Sequence, residues 1–203
     1  MEIQWIQQGD DHYPKILTER MGTEAPLTIA VLGNPTILLL HRMGLLCSVR
    51  CPGSIVLKTF DAIRELRDAG VVIAGGFHSP MERECLDLLL RGSQPIILCP
   101  ARSLIGLHIG QSSRQALENG RLLVLSMFGP EIRRTTSAQA AKRNELIAAL
   151  ADIVFIPHAS SGGKTEAVAH HAIRRGQIVV TFADKENANL IQNGAQLYEH
   201  SYP

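Results

Sequence analysis

From Gly44 onward, short apolar runs alternate with longer amphipathic segments. GLLCSV (44–49), VVIAGG (71–76), PIILCP (95–100), RLLVLS (121–126), DIVFIP (152–157) and QIVVTF (177–182) have the length and composition of strands buried on both faces. Between them, GSIVLKTFDAIRELRDAG (53–70), SPMERECLDLLLRG (79–92), QSSRQALENG (111–120), SAQAAKRNELIAALA (137–151), GKTEAVAHHAIRRG (163–176) and ENANLIQNGA (186–195) read as helices. Gly70, Gly92, Gly120, Gly176 and Gly194 supply their stop signals. Ser79, followed by Pro80 and by Glu82 three residues on, is a start signal. Strand and helix in alternation predict an α/β, Rossmann-like, doubly wound fold. Its mostly parallel sheet has about six or more strands, with helices on both faces. Residues 1–43 break the pattern and are expected to form a lead-in packed on the sheet, with LTIAVLG (27–33) a strand turned by Asn34 and Pro35. Residues 44–203 are expected to form the Rossmann-like domain, the two parts making one structural unit.

Composition narrows the function classes. A chain of 203 residues, 45% hydrophobic and 19% charged, is able to bury a proper core. Its net charge of +1 gives no general attraction to a polyanion, so nucleic acid has to be held by a local patch. Aromatic residues make up only 4%, which counts against a stacking platform for single strands. Cys47, Cys51, Cys85 and Cys99 do not suggest a secreted disulfide framework, because the opening MEIQWIQQGDD has neither a basic nor an apolar leader segment. A cytoplasmic location with reduced core thiols is expected. The close pair Cys47 and Cys51 lacks a second pair at ligand spacing, so no metal is expected, and nothing calls for a cofactor. The apolar run ILLL is stopped by His41 and Arg42, so no membrane span is expected.

In a doubly wound sheet, ligands bind beyond the carboxyl ends of the strands. The residues just past them are Ser48, Arg50, Pro52 and Gly53; Gly75, Gly76, Phe77 and His78; Ala101 and Arg102; and positions 158–165. Within the last group, GGKT resembles a phosphate loop, but G-x-x-x-x-G-K-[ST] requires glycine where His158 stands, so the spacing fails. Gly53 and Ser54 open one helix, and Gly162 and Gly163 open another. Their backbone N–H groups suit an anion if the turns converge; tight turn geometry explains the same residues without a ligand. His78 and His158 follow strands and read either as acid/base or phosphate-donor groups or as packing histidines. His170 and His171 lie inside a helix, one expected at the surface and one in packing. Arg133, Arg134, Lys142 and Arg143 form a basic cluster that either tracks a phosphate backbone or is a solvated face. Asn144 is placed to hold a turn or a ligand edge.

Several of these pieces resemble the DprA/Smf family of DNA-processing proteins, between Tyr13 and about Ala195. YPKIL, with Ala25, Pro26 and a strand ending in Gly33 and Asn34, is similar to the family lead-in. LLCSVRCPG resembles its V-G-[ST]-R turn, with Ser48 and Arg50 as counterparts, and VVIAGGFHSPMERECL stands in place of V-V-S-G-L-A-x-G-I-D-x-x-A-H. KRNELIAALADIVFI is close to R-N-R-I-I-A-G-L-S and its following strand, SSGGKTEA replaces S-G-S-x-x-T-A, and NANLIQNGA resembles the N-x-L-I-x-x-G-A ending.

The resemblance implies an extended Rossmann fold, binding of single-stranded DNA, loading of the RecA recombinase in natural transformation or related recombination, a homodimer and no catalytic activity. Strand-end position, the helix starts and these matches together nominate a nucleic-acid or nucleotide phosphate-binding set of Ser48, Arg50, Gly53, Gly75, Gly76, His78, Ser79, Arg143, Asn144, Ser161, Gly162, Gly163, Lys164 and Thr165. The chain departs from the family pattern at Cys47, at His78 to Glu82 and at Glu166, which takes the threonine position. An added winged-helix domain is expected to be absent. A more distant likeness is to the lysine-decarboxylase-like phosphoribohydrolases, whose P-G-G-x-G-T-x-x-E motif SSGGKTEAVA resembles at its start. Aligned from Gly162, the catalytic glutamate of that motif falls at Ala169. An enzyme acting on a nucleoside monophosphate would therefore need Glu166 as the catalytic carboxylate with Arg143 as its partner. A nucleotide sensor without turnover is the third reading.

Overall fold

The computed structural model describes residues 2–199; position 1 of the expected lead-in and positions 200–203 of the expected Rossmann domain lie outside them. The strands are β1 (Gln4–Gln7), β2 (Thr28–Gly33), β3 (Arg42–Leu45), β4 (Val72–Gly75), β5 (Ile96–Leu98), β6 (Leu122–Ser126), β7 (Ile153–Phe155), β8 (Ile178–Thr181) and β9 (Gln196–Leu197). The helices are α1 (Lys15–Met21), α2 (Gly53–Asp68), α3 (Pro80–Leu90), α4 (Gln111–Glu118), α5 (Ser137–Leu150), α6 (Lys164–Arg174) and α7 (Ala188–Gln192). All strands join one sheet in the order β1-β2-β6-β5-β4-β3-β7-β8-β9. The pairs from β6 through β9 are parallel, while β1 with β2 and β2 with β6 are antiparallel.

Each central strand sends alternate side chains into two separate cores. Val72, Ala74, Ile97, Val154 and Val179 face α1, α5, α6 and α7, where Leu17, Leu146, Ile147, Val168 and Leu190 are buried. Met43, Leu45, Ile73, Ile96 and Phe155 face α2, α3 and α4, where Ile55, Ile63, Cys85, Leu89 and Leu117 are buried. This two-sided burial is why these strands read as continuous apolar runs. It also makes the fold the α/β, Rossmann-like, doubly wound, mostly parallel arrangement that the alternation predicts.

Two strands, β1 and β9, and one helix, α1, were not expected from the pattern. β1 and β9 are short edge strands with mostly exposed side chains, so they carry little apolar signal. The expected strand at 27–33 is β2, which runs against β6 with Ala30 opposite Ser126 and Gly33 opposite Leu123. Helix α1 packs against α5, and the Arg20 guanidinium donates to the Ala149 carbonyl at 2.9 Å, satisfying a free acceptor at the end of α5.

Strand β3 decides where a ligand sits. The chain leaves β3 to lay down β4, β5 and β6 on one side, then returns through α5 to place β7 on the other. Successive connections therefore diverge to opposite faces between β3 and β7, and a crevice opens beyond their carboxyl ends.

Candidate functional site

That crevice is a cleft of about 480 Å³. It brings together Ser48, Arg50, His78, Ser79, Arg143, Asn144, Gly163, Lys164 and Thr165 from the sequence-nominated set, with Ser137, Cys47 and Glu82 also in its wall. Gly53, Gly75, Gly76, Ser161 and Gly162 do not line it. Gly53 begins α2 on the exposed side, and Ser161 and Gly162 are exposed in the turn before α6.

The glycines of the β4 turn serve packing. A Cβ on Gly76 would lie 1.8 Å from Arg143 Nη1, so the guanidinium rests directly on its backbone. Arg143 is 5% exposed; its Nη1 donates to the Cys99 carbonyl at 3.0 Å and its Nε to Asn144 Oδ1 at 2.7 Å. Burial pushes the Arg143 pKa below the ordinary guanidinium value, and the negative charge of Glu82 counters that. Phe77, the next residue after Gly76, takes a left-handed φ of 47°, a strained choice for a residue with a side chain, and its ring covers Gly75. Gly76→Ala is expected to lower stability by about 2 kcal/mol through overpacking against Arg143. A urea melt checks this; an unchanged midpoint would show that Arg143 moves aside freely.

Two carboxylates close the turns from within. Glu82 Oε1 accepts the Cys47 N–H at 3.1 Å, and Oε2 accepts the N–H groups of His78 and Ser79, both at 3.0 Å. The sequence reads Ser79 and Glu82 as a capping box, and the reciprocal bond from Glu82 N–H to Ser79 Oγ is present. The reach across to Cys47 is a tertiary contact with no sequence signal. Glu166 acts likewise at the SSGGK turn: its Oε2 accepts the Gly162 N–H at 2.7 Å and its Oε1 accepts from Asn189 Nδ2. Gly162 has φ +69°, and the Gly163 N–H returns to the Ser160 carbonyl at 2.9 Å, which accounts for two adjacent glycines.

The last motif, NANLIQNGA, braces this edge. Asn187 is fully buried; its Oδ1 meets His158 Nδ1 at 3.0 Å and its Nδ2 donates to the Pro157 carbonyl at 2.8 Å. His158 is thus held in packing behind the cleft. Ser48 ties the ends of β3 and β7 together, its N–H donating to the His158 carbonyl at 3.1 Å and its Oγ accepting from the Ser160 N–H at 3.0 Å. Lys164 at the mouth donates to Ser137 Oγ, and Arg50 stands exposed at the rim. Arg133 and Arg134 are exposed in the loop that leads into Ser137. Lys142 faces away from the cleft, in a separate hollow with Glu145, His171 and Arg175. Along α6, His171 Nδ1 meets Glu145 Oε1 at 2.7 Å, and His170 is half-buried.

All four thiols are free. Burial pushes the Cys99 thiol up to about 12, and burial likewise raises that of Cys85. A hydrogen bond between Cys47 and Cys51 raises the first and lowers the second. Cys51 is therefore expected to be alkylated first by iodoacetamide, about tenfold or more ahead of the other three, because the thiolate is the nucleophile. Mass spectrometry after a short pulse reads this directly, and equal labelling at Cys51 and Cys85 would contradict it. Among the described residues no group of three or more His, Cys, Asp or Glu side chains is placed to hold a metal ion. No helix among them is long and apolar enough to cross a membrane.

The fold is shared with proteins of known structure. DNA processing protein A from Streptococcus pneumoniae superposes with a TM-score of 0.80 at 20% identity, covering 97% of this chain and 71% of that one. The Helicobacter pylori protein of the same name, described for its single-stranded DNA binding mode, gives 0.79 at 19% identity, with 97% and 90% covered. A molybdenum cofactor binding protein from Rippkaea orientalis is more distant, at 0.54 and 11% identity over 78% of this chain and 89% of that one. These likenesses establish the shared fold. No curated protein sequence matches the chain. The family model for DNA recombination-mediator protein A matches residues 4–202, nearly the whole sequence. The chain belongs to the DNA recombination-mediator protein A family.

Proposed function

We propose that this protein binds single-stranded DNA along the carboxyl edge of its sheet, with Arg50 and Lys164 meeting phosphates at the cleft mouth and Arg133 and Arg134 extending the track. The observation that carries this reading is the placement of Arg50 and Lys164 in one cleft at the β3/β7 divergence, both exposed. Among the described residues no Phe, Tyr or Trp lines that cleft. Contact is therefore to the backbone and tolerant of sequence, unlike a stacking platform. The Helicobacter pylori relative's single-stranded DNA binding supports the same class of ligand. A recombination-mediator role in DNA uptake, with delivery of DNA to RecA by a homodimer in the cytoplasm, belongs to this reading and is supported by family membership.

The nucleotide-enzyme reading needs Glu166 free to face a ligand. Its carboxylate oxygens instead accept from Gly162 and Asn189, and it does not line the cleft, which favours binding over turnover.

A fluorescence-anisotropy titration with a labelled oligonucleotide tests the proposal. Binding is expected to weaken with salt, with a logarithmic slope of about −0.7 for each phosphate neutralised, or roughly −1.4 to −2.8 for two to four contacts. No salt-sensitive binding at micromolar protein would refute it.

A further inference from the structure

We propose that the Glu82 carboxylate is a built-in anion that fills the phosphate-sized nest on the cleft floor, so that a ligand's phosphates are confined to the rim. Three N–H groups from two different turns, those of Cys47, His78 and Ser79, converge on this one carboxylate at 3.0–3.1 Å. Donors gathered in this way at a strand-to-helix turn hold phosphate in many Rossmann-like proteins. Here the anion belongs to the chain. Glu82 is 5% exposed and is fixed at its own backbone by Ser79 Oγ, so it does not swing out readily. The buried charge of Arg143 has Glu82 as its electrostatic counterpart. A ligand phosphate entering the floor would have to displace a buried carboxylate or sit against its negative charge.

The consequence is a specificity rule. Ligands reach the side chains of Arg50 and Lys164 but not the N–H nest, a pattern suited to a strand passing across the mouth. Only this consequence for DNA rests on the single-stranded DNA reading; the filled nest stands on geometry alone.

Removing the carboxylate should open an anion site. Glu82→Ala is expected to be stabilised by sodium formate or inorganic phosphate more than by sodium chloride at equal ionic strength, by about 3 °C or more beyond the same difference in the unmutated protein. Subtracting the unmutated protein removes the general salting effect of phosphate. If the variant does not hold its fold in chloride, the readout is recovery of its helical circular dichroism on adding formate. No anion-specific gain and no recovery would overturn the proposal.

A second measurement uses the unmutated protein. Inorganic phosphate is expected to leave the amide NMR signals of Cys47, His78 and Ser79 in place, and their saturable movement would overturn it. Failure of the two readings is distinguishable. An unmutated protein that ignores oligonucleotides while Glu82→Ala responds to formate loses the DNA reading and keeps the filled nest; the opposite pair of results does the reverse.

Discussion

Arg143→Met is expected to lower the unfolding free energy by about 3 kcal/mol. Methionine has similar length and keeps most of the packing, so the loss isolates the guanidinium. It leaves the buried Cys99 carbonyl without the donor now at 3.0 Å, and it leaves Glu82 without its nearby positive charge. An uncompensated buried charge is costly because the low-dielectric surroundings do not replace the lost partner. Arg143→Lys should recover less than half of the loss. An ammonium carries the charge but does not lie flat on Gly76 while donating in two directions. Urea unfolding of the three proteins reads these differences, and a loss below about 1 kcal/mol for methionine would mean that water replaces the guanidinium easily.

Arg50→Ala combined with Lys164→Ala is expected to weaken oligonucleotide binding by about tenfold or more and to reduce the salt slope by roughly 1.4. Both side chains are exposed at the mouth, where the Lys164 ammonium donates to Ser137 Oγ. Stability should stay within about 0.5 kcal/mol, since surface changes away from buried partners rarely cost more. This contrast separates the two kinds of basic residue in the cleft. Arg143 holds the floor together, whereas Arg50 and Lys164 meet the ligand. An unchanged salt slope in the double variant would move the phosphate track elsewhere, with Arg133 and Arg134 the next residues to replace.

How much of this was legible in the sequence follows from how local each signal is. The six central strands announce themselves because burial on both faces makes them continuous apolar runs, and the helices between them because their glycine stops are local. Strands β1 and β9 were silent, since a short edge strand with exposed side chains has no periodicity to read. The antiparallel direction of β2 was equally hidden, because pairing with β6 is fixed by contacts almost a hundred residues apart. At the cleft, the rule that ligands gather past the strand ends nominated Ser48, Arg50, His78, Lys164 and Thr165, all of which line it. The roles of Glu82 and Glu166 were out of reach. A capping box signals Glu82 as a local partner of Ser79, but nothing in the spacing tells that the same carboxylate takes the Cys47 N–H. Gly76 illustrates the same limit: its lack of a side chain reads as turn geometry, whereas the structure uses it to seat a guanidinium supplied by α5.

The most direct test of the account is hydrogen–deuterium exchange of the full chain with and without a saturating single-stranded oligonucleotide. The account predicts slowed exchange at residues 46–52, 76–79, 133–137 and 160–165, the segments that form or approach the carboxyl-edge cleft, with the opposite edge of the sheet unchanged. Protection confined to that opposite edge, or no protection under saturating conditions, would contradict it.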